Sequence, residues 1–101
     1  MQDTVMNLRE LIETKKEEIL RIAARHRARN VRVFGSVIRA HADDASDIDL
    51  LVELEPGCGF LEHAALIREL EELLGRKVDV VSEKGLRQRI RDRVVREAVP
   101  L

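Results

Sequence analysis

Two short apolar segments joined by a polar connection constrain the fold of this chain more than any other feature. The first, residues 31–34, is rich in β-branched side chains, and the second, residues 48–54, is apolar at every even position. Successive side chains of a strand point to opposite faces of a sheet. We therefore predict two strands, the second of which buries one face and carries Asp49 and Glu53 on the other.

The stretches before and between these strands have their own signals. Residues 4–29 have apolar positions spaced three or four apart, which predicts one long helix beginning at Asp3 or Thr4 and ending at Asn30. Ser36 is a favourable cap for a short helix over residues 37–41. A polar loop is predicted over residues 42–46.

The second half of the chain repeats this alternation of element types. A helix is predicted over residues 60–74, ending at Gly75, and a third strand over residues 77–81. Ser82 is predicted to cap a last helix. The predicted core positions of the two helices are Phe60, Ala64, Ile67, Leu70 and Leu74, and then Leu86, Ile90, Val94 and Val95. The order of elements indicates an α/β fold on a small sheet of about three strands.

Length and composition narrow the class of protein. A chain of 101 residues is expected to form one domain, spanning residues 1–101. No apolar run is long enough for a membrane span, and the first residues lack the apolar core of a secretory leader. The single cysteine, Cys58, cannot form an internal disulfide, which fits a cytoplasmic protein.

Charge is distributed unevenly along the chain. The net charge is −1, with −7 over residues 31–75 and positive flanks of +2 and +4. An acidic centre between basic flanks suits a divalent metal with a polyanionic ligand. The alternative interpretation of the flanks is solvated helix faces, and the basic tail alone does not indicate nucleic-acid binding.

Carboxylates at the start of the second strand are the first half of a candidate site. Asp47 and Asp49 lie on the same side of the strand, about 6.6 Å apart along the chain. Asp79, alone on its face of a valine-rich strand, is the candidate third acid. Oxygen ligands without a histidine or cysteine favour Mg²⁺ or Mn²⁺, and paired catalytic ions lie roughly 3.5–4 Å apart.

The turn after the first strand is the second half of this site. Gly35 permits close approach of a ligand to the backbone, and a turn leading into a helix presents free N–H groups to a phosphate. Ser36 adds a hydroxyl group, and Arg39 is placed to meet a phosphate oxygen. Each part alone is common in ordinary turns and surfaces, but clustered carboxylates are costly without a cation. Together they favour a metal–nucleotide site.

The same residues resemble a known family. Phe34-Gly35-Ser36, ten intervening residues and then the run Asp-Ile-Asp-Leu-Leu-Val from Asp47 are similar to the signature of DNA polymerase β-like nucleotidyltransferases. The chain most resembles the minimal nucleotidyltransferases of prokaryotes, the MNT-domain proteins. The run Val-Asp-Val-Val around Asp79 matches the strand that carries the third carboxylate of the family, and the resemblance covers nearly the whole chain.

The resemblance implies a mixed sheet and a function. It implies that Gly35 and Ser36 hold the triphosphate of ATP, and that two Mg²⁺ ions are bound by Asp47 and Asp49 with help from Asp79. Small members are often antitoxins of type VII-like pairs, which transfer AMP to a tyrosine hydroxyl of a HEPN-domain ribonuclease toxin. A hetero-oligomer with such a toxin is therefore expected.

One departure and one alternative remain. Many relatives have glycine after the arginine that matches Arg39, whereas this chain has Ala40 and then His41, which changes the expected shape of the loop. The alternative function is an antitoxin that neutralises its toxin by binding alone. The intact carboxylates argue against it, and the small size of the chain disfavours a nucleic-acid or small-molecule acceptor.

Overall fold

A four-stranded sheet is the centre of the computed structural model, which describes residues 8–38 and 47–101 apart from the side chain of Ser36. Its strands lie in the order β3-β2-β1-β4. β1 pairs antiparallel with β2 and β4, whereas β2 and β3 are parallel. In chain order the strands are β1 (Ala28–Phe34), β2 (Ile48–Leu54), β3 (Val78–Ser82) and β4 (Val99–Pro100).

This arrangement confirms the expected mixed sheet and corrects the number of strands. About three strands were expected, and the fourth is β4, which pairs with Arg32 and Val33 of β1. A strand of two residues is too short to show a period of two, and its proline is typical of a sheet edge. The bounds predicted for β2 are confirmed, while β1 starts three residues earlier than predicted.

Four helices and two short 3₁₀ turns complete the described part of the chain. None of the helices in residues 8–38 and 47–101 is long and apolar enough to cross a membrane. The helices are α1 (Leu8–Thr14), α2 (Lys16–Arg25), α3 (Phe60–Leu74) and α4 (Gln88–Glu97), and the turns are Gly35–Val37 and Glu83–Gly85.

The single helix predicted over residues 4–29 is wrong in two respects. The helix is interrupted at Lys15, whose φ and ψ of −99° and 12° leave the helical region, so α1 and α2 are separate. It also ends at Arg25, because Arg27 adopts a φ of 66° and turns the chain into β1. No glycine or proline marks either point, so local sequence gives no signal. The proposed caps Asp3 and Thr4 lie outside the described residues.

The main core lies on one face of the sheet, beneath α2 and α3. Ile48, Leu50 and Val52 of β2 are at most 1% exposed, which confirms the face predicted from their alternation. Burying a side chain of this size contributes about 1.5–3 kcal/mol. The other members are the buried apolar residues of the remaining elements: Leu8, Ile12, Ile19, Ala23, Ala28, Val31, Val33, Val37, Leu66, Leu70, Leu74, Val78 and Val80.

The chain connections before and after α4 place this helix on the opposite face of the sheet, which we call the second face. Leu51 of β2 points away from the main core yet is 0% exposed, and Val94 is the buried residue of α4. Among residues 8–38 and 47–101, these two side chains are the buried apolar residues outside the main cluster. The 3₁₀ turn before α4 contacts β2, and β4 after it pairs with β1. The helix therefore crosses the second face.

The apolar stripe predicted for α3 is displaced around the helix. Phe60 is 84% exposed and Ala64 is also exposed, whereas Leu66, Leu70 and Leu74 face the core. His63 occupies an inward position one turn before Leu66, and its Nε2–H donates to the carbonyl oxygen of Val80 over 2.8 Å. Because His63 is polar, the sequence pattern does not mark its position as inward, and the predicted apolar face of α3 is shifted.

The end of α3 is as predicted. Gly75 ends the helix in the left-handed conformation with a φ of 66°, where a side chain would be strained. Its N–H donates to the carbonyl oxygen of Glu71 over 2.8 Å.

The predicted core positions of the last helix are largely wrong. Ser82 precedes the 3₁₀ turn rather than α4, and Leu86 lies before the first residue of the helix. Ile90 and Val95 are 49% and 37% exposed. They lie on the two flanks of the helix, because a spacing of five residues separates them by more than a third of a turn. Only the prediction for Val94 is confirmed.

A charged cluster joins α2 to α3. His26 Nδ1–H donates to Glu62 and Nε2–H to Glu69, each over 2.5 Å, and Arg25 also pairs with Glu69. Burial lowers the pKa of His26, but the two carboxylates outweigh it and raise that pKa above its ordinary value of 6.5. The hydrogen bond from His26, together with the charge of Arg25, lowers the pKa of Glu69. This cluster is remote from the predicted carboxylate site.

Candidate active site

The turn that follows β1 is shaped by Gly35. Its φ of 81° lies in the left-handed region that favours glycine. The chain then forms the 3₁₀ turn Gly35–Val37, in which the N–H of Ile38 donates to the carbonyl oxygen of Gly35 over 3.1 Å. Val37 is 5% exposed and anchors the turn in the core. The turn therefore follows directly from the end of β1, an inner strand of the sheet.

The pairing of β1 with β2 brings Asp49 against this turn. Phe34 is the register partner of Asp49 in the antiparallel pair. A Cβ atom at Gly35 would overlap Oδ2 of Asp49 and lie 3.3 Å from its Cγ. The carboxylate therefore packs on the backbone of Gly35, in space that is open only because this residue is glycine.

The pairing of β2 with β3 brings a second carboxylate alongside. Asp49 and Asp79 are register partners in the parallel pair, so their backbones lie about 4.8 Å apart. Their neighbours Ile48 and Val78 are 0% and 3% exposed, which fixes both strands in the core. The pleat consequently directs both carboxylates to the second face. Asp49 is half-buried, and Asp79 is exposed.

Asp47 lies just before β2 and is exposed. The strand begins at the next residue, where the N–H of Ile48 donates to the carbonyl oxygen of Lys77 over 3.0 Å. Asp47 is therefore at the mouth of the β2–β3 pair, two residues from Asp49. The structure brings together Gly35, Asp49 and Asp79, with Asp47 beside them.

Two predicted residues have less structural support. The backbone of Ser36 lies within the turn Gly35–Val37, and its side chain is not described. Arg39, together with Ala40, His41 and the predicted loop 42–46, lies outside the described residues. Their predicted roles toward a triphosphate therefore stay predictions.

The donor atoms of this site suit a hard divalent cation. The side chains of Asp47, Asp49 and Asp79 offer oxygen atoms alone, the ligand chemistry of Mg²⁺ rather than of zinc. Asp49 and Asp79 lie on adjacent strands in register, and one ion can bridge two carboxylates at this spacing. Within residues 8–38 and 47–101, no three histidine, cysteine or acidic side chains converge as a ready-made metal cluster. The chemistry and the register of these carboxylates fit such an ion.

A buried arginine on the second face was missed by the sequence reasoning. Arg32 is 7% exposed, its Nε–H donates to the carbonyl oxygen of Asn30 over 3.1 Å, and its guanidinium pairs with Glu83 at 2.7 Å. It holds the turn before α4 against β1. A charged residue between the core valines Val31 and Val33 was the available signal, since alternation directs it to the second face.

The far end of the same face carries an exposed acid with a different environment. Glu53 accepts a hydrogen bond from Asn30 over 2.6 Å and lies 3.6 Å from Arg29. The hydrogen bond from Asn30, aided by the charge of Arg29, lowers the pKa of Glu53. This carboxylate is neutralised by its own neighbours, four residues along β2 from Asp49.

The mixed sheet, the glycine turn and the carboxylates on adjacent strands are the features that the resemblance to nucleotidyltransferases implies. The nucleotidyltransferase domain family matches residues 11–101. The chain belongs to this family and is a nucleotidyltransferase, as the resemblance implied.

Relatives agree with this assignment over most of their length. The chain is 37% identical over 94 residues to a protein of Methanocaldococcus jannaschii provisionally named a protein adenylyltransferase, covering 93% of this chain and 97% of the relative. It is 34% identical over 96 residues to the protein adenylyltransferase MntA of Thermococcus cleftensis, covering 95% and 94%.

Solved structures share the fold. One provisionally described as a minimal nucleotidyltransferase has a TM-score of 0.86 at 50% identity, covering 98% of this chain and all of that one. A toxin–antitoxin structure with AMP-PNP has a TM-score of 0.73 at 20% identity, covering 84% and 70%. At that lower identity the likeness concerns the fold alone.

Proposed function

We propose that this nucleotidyltransferase transfers AMP from ATP to a hydroxyl group of a partner protein. The observation that carries the proposal is the register of Asp49 with Asp79 beside the Gly35 turn. Support for a protein acceptor comes from relatives named protein adenylyltransferases at 34% and 37% identity.

In this proposal the residues of the chain mainly position the substrates and neutralise negative charge. The acceptor hydroxyl gives up its proton to solvent water as its oxygen attacks the α-phosphorus of ATP, the bond from that phosphorus to the β,γ-phosphates breaks, and pyrophosphate leaves. Asp47, Asp49 and Asp79 would hold Mg²⁺, two ions by family resemblance, which supplies charge neutralisation and lowers the pKa of the attacking hydroxyl. Gly35 leaves room for Asp49 and, with the backbone of the turn, for a phosphate close by. Ser36 and Arg39 are proposed to contact the triphosphate.

The biological partner is proposed to be a toxin that this chain silences. Support comes from the fold shared with solved toxin–antitoxin complexes and from the resemblance to MNT-domain antitoxins. On that resemblance, the toxin would be a HEPN-domain ribonuclease, the acceptor a tyrosine, and the pair a hetero-oligomer in the cytoplasm.

Label transfer to a candidate partner tests the proposal. The protein is mixed with α-labelled ATP, Mg²⁺ and the product of the adjacent reading frame, and the labelled residue is located by mass spectrometry. We expect AMP on a hydroxyl side chain of the partner, and no label with Asp47→Asn. Neutralisation of the partner without any label would overturn the proposal in favour of an antitoxin that acts by binding alone.

A further inference from the structure

The outer surface of α4 is unusually cationic. Arg89, Arg93 and Arg96 are spaced four and three residues apart, so they form one stripe on the helix, and all three are exposed. Only Val94 among the ten residues of α4 is buried. The stripe lies on the side of the helix opposite Val94, facing away from the sheet.

The charge of this stripe is little compensated by its own protein. Arg93 lies 3.3 Å from Glu97, whereas Arg89 and Arg96 make no ion pair with an acid in the described parts of the chain, 8–38 and 47–101. Residues 84–96 hold six basic side chains against a single acid, Asp92. An arginine surface of this kind attracts a negatively charged partner.

Apolar side chains flank the arginines. Ile90 is 49% exposed and Val95 is 37% exposed, and each lies at a border between the stripe and the side of the helix that carries Val94. The exposed parts of these two side chains add aliphatic surface beside the arginines. Arginine with apolar neighbours is the composition of a protein-binding surface, in which arginine is enriched and lysine depleted.

The position of α4 relates this surface to the active site. The helix crosses the second face, to which the carboxylates of Asp49 and Asp79 are directed. It begins after the turn held by the Arg32–Glu83 ion pair and ends beside β1, the strand that leads into Gly35. A protein bound on the outer side of α4 therefore lies on the same side of the sheet as the reacting atoms.

We propose that Arg89, Arg93 and Arg96, flanked by Ile90 and Val95, form the docking surface for an acidic patch of the acceptor protein. The inference rests on the proposed function and names the surface that recognises its substrate. The surface would hold the acceptor protein on the side of the sheet to which the carboxylates of Asp49 and Asp79 are directed. Charge complementarity of this kind accelerates encounter and fixes orientation.

A nucleic acid fits this surface less well than an acidic protein. The carboxylates on the same face and the net charge of −7 over residues 31–75 repel a phosphate backbone that extends beyond α4. A folded acidic patch can be confined to the helix. The exposed Ile90 and Val95 also offer contacts that a phosphate backbone does not use.

Charge reversal tests the docking surface. The triple variant Arg89→Glu, Arg93→Glu, Arg96→Glu is compared with Arg9→Glu, Arg21→Glu, Arg68→Glu, which changes the same charge at exposed arginines of the other helices. The probe is the product of the adjacent reading frame, with Kd measured by calorimetry and KM by label transfer. We expect the α4 variant to raise Kd and the acceptor KM at least about tenfold, with an unchanged KM for ATP.

The results separate this inference from the proposed function. Equal Kd values for the two triple variants, or no binding by the wild type, would overturn the docking surface. Binding without AMP transfer by the wild type would overturn the proposed function and leave the surface intact. If the α4 variant loses binding to a short single-stranded RNA but still binds the partner protein, the arginines recognise nucleic acid. The proposed class of partner would then be wrong. The triple alanine variant, which introduces no repulsion, is expected to weaken binding to a smaller extent and checks for misfolding.

Discussion

At the scale of single residues, the contact between Gly35 and Asp49 is the feature on which the site depends. The carboxylate occupies the space that a side chain at Gly35 would fill, and the φ of 81° is itself unfavourable for other residues. Two separate constraints, one of conformation and one of space, therefore require glycine. They can be separated by comparing this position with another glycine of positive φ.

Gly35→Ala is expected to lower both stability and transfer. The strained backbone costs about 1–3 kcal/mol, and displacement of Asp49 by the new methyl group reduces the transfer rate by roughly 100-fold. Gly57→Ala is the matched control, because Gly57 has a φ of 89° and open space, with its nearest neighbour atom 4.0 Å away. Urea unfolding should show a loss in both variants, and label transfer a loss in Gly35→Ala alone. Equal transfer rates would contradict the contact.

The pair of Arg32 and Glu83 makes a second prediction at this scale. Arg32→Met leaves the partly buried Glu83 without its cation, so we expect unfolding free energy to fall by about 1–3 kcal/mol. Arg29→Met is the control, because the Arg29–Glu53 pair is exposed to solvent and contributes little to stability. A double-mutant cycle with Glu83→Met isolates the coupling. A coupling near zero would contradict a structural role for the pair.

The residues of the candidate site were predictable from sequence where their spacing along the chain has a direct structural meaning. Asp49, Asp79 and Gly35 were singled out because a two-residue period and a glycine at a strand end have direct geometric meaning, and the structure brings them together. Arg32 was not singled out, since one charged residue in a short strand does not reveal what covers its face. The turn held by Glu83 is 51 residues away in the chain, beyond the reach of local pattern.

At the scale of elements, α2 and α3 are joined by a cluster whose strength depends on pH. The folded chain raises the pKa of His26, so this contribution to stability is complete below pH 6.5 and is lost as pH rises through the folded pKa. It lowers the pKa of Glu69, whose contribution is complete above pH 4.5 and is lost as pH falls through its folded pKa. Both contributions are complete between pH 4.5 and 6.5.

We therefore expect unfolding free energy to decline as pH rises above 6.5 and through the folded pKa of His26, with the decline much reduced in His26→Gln. Urea unfolding at several pH values measures it. His63→Gln is the control, because His63 hydrogen-bonds a backbone carbonyl rather than a carboxylate, and it should keep the wild-type decline. A His26→Gln variant with an unaltered pH profile would show that the cluster is not protonated as described.

Helix faces were harder to predict than strand faces. A strand has two faces, so the alternation of β2 determined its buried side, and Ile48, Leu50 and Val52 are buried. A helix has a continuous circumference, and one inward polar residue, His63, was enough to shift the predicted stripe of α3 toward Phe60. In α4 the apolar residues are too few to define a stripe, which left Ile90 and Val95 wrongly assigned to the core.

At the scale of the whole molecule, the two faces of the sheet differ in role, one stabilising the fold and the other carrying the candidate site. One face carries the main core beneath α2 and α3, and the second face carries the carboxylates, the Arg32–Glu83 pair and α4. The sequence predicted this division because the alternation of one central strand determines it. It did not predict the path of α4 across the second face, since that path depends on contacts between distant segments.

In the proposed reaction, the carboxylates of the second face perform the transfer. The most direct measurement is the initial rate of AMP transfer from α-labelled ATP for Asp49→Asn beside Glu53→Gln, an equal loss of charge on the same strand and face. We predict a loss of at least about 1,000-fold for Asp49→Asn, since several kcal/mol of charge stabilisation depend on it, and a near wild-type rate for Glu53→Gln. Near wild-type transfer by Asp49→Asn, in a protein that remains folded, would contradict the account.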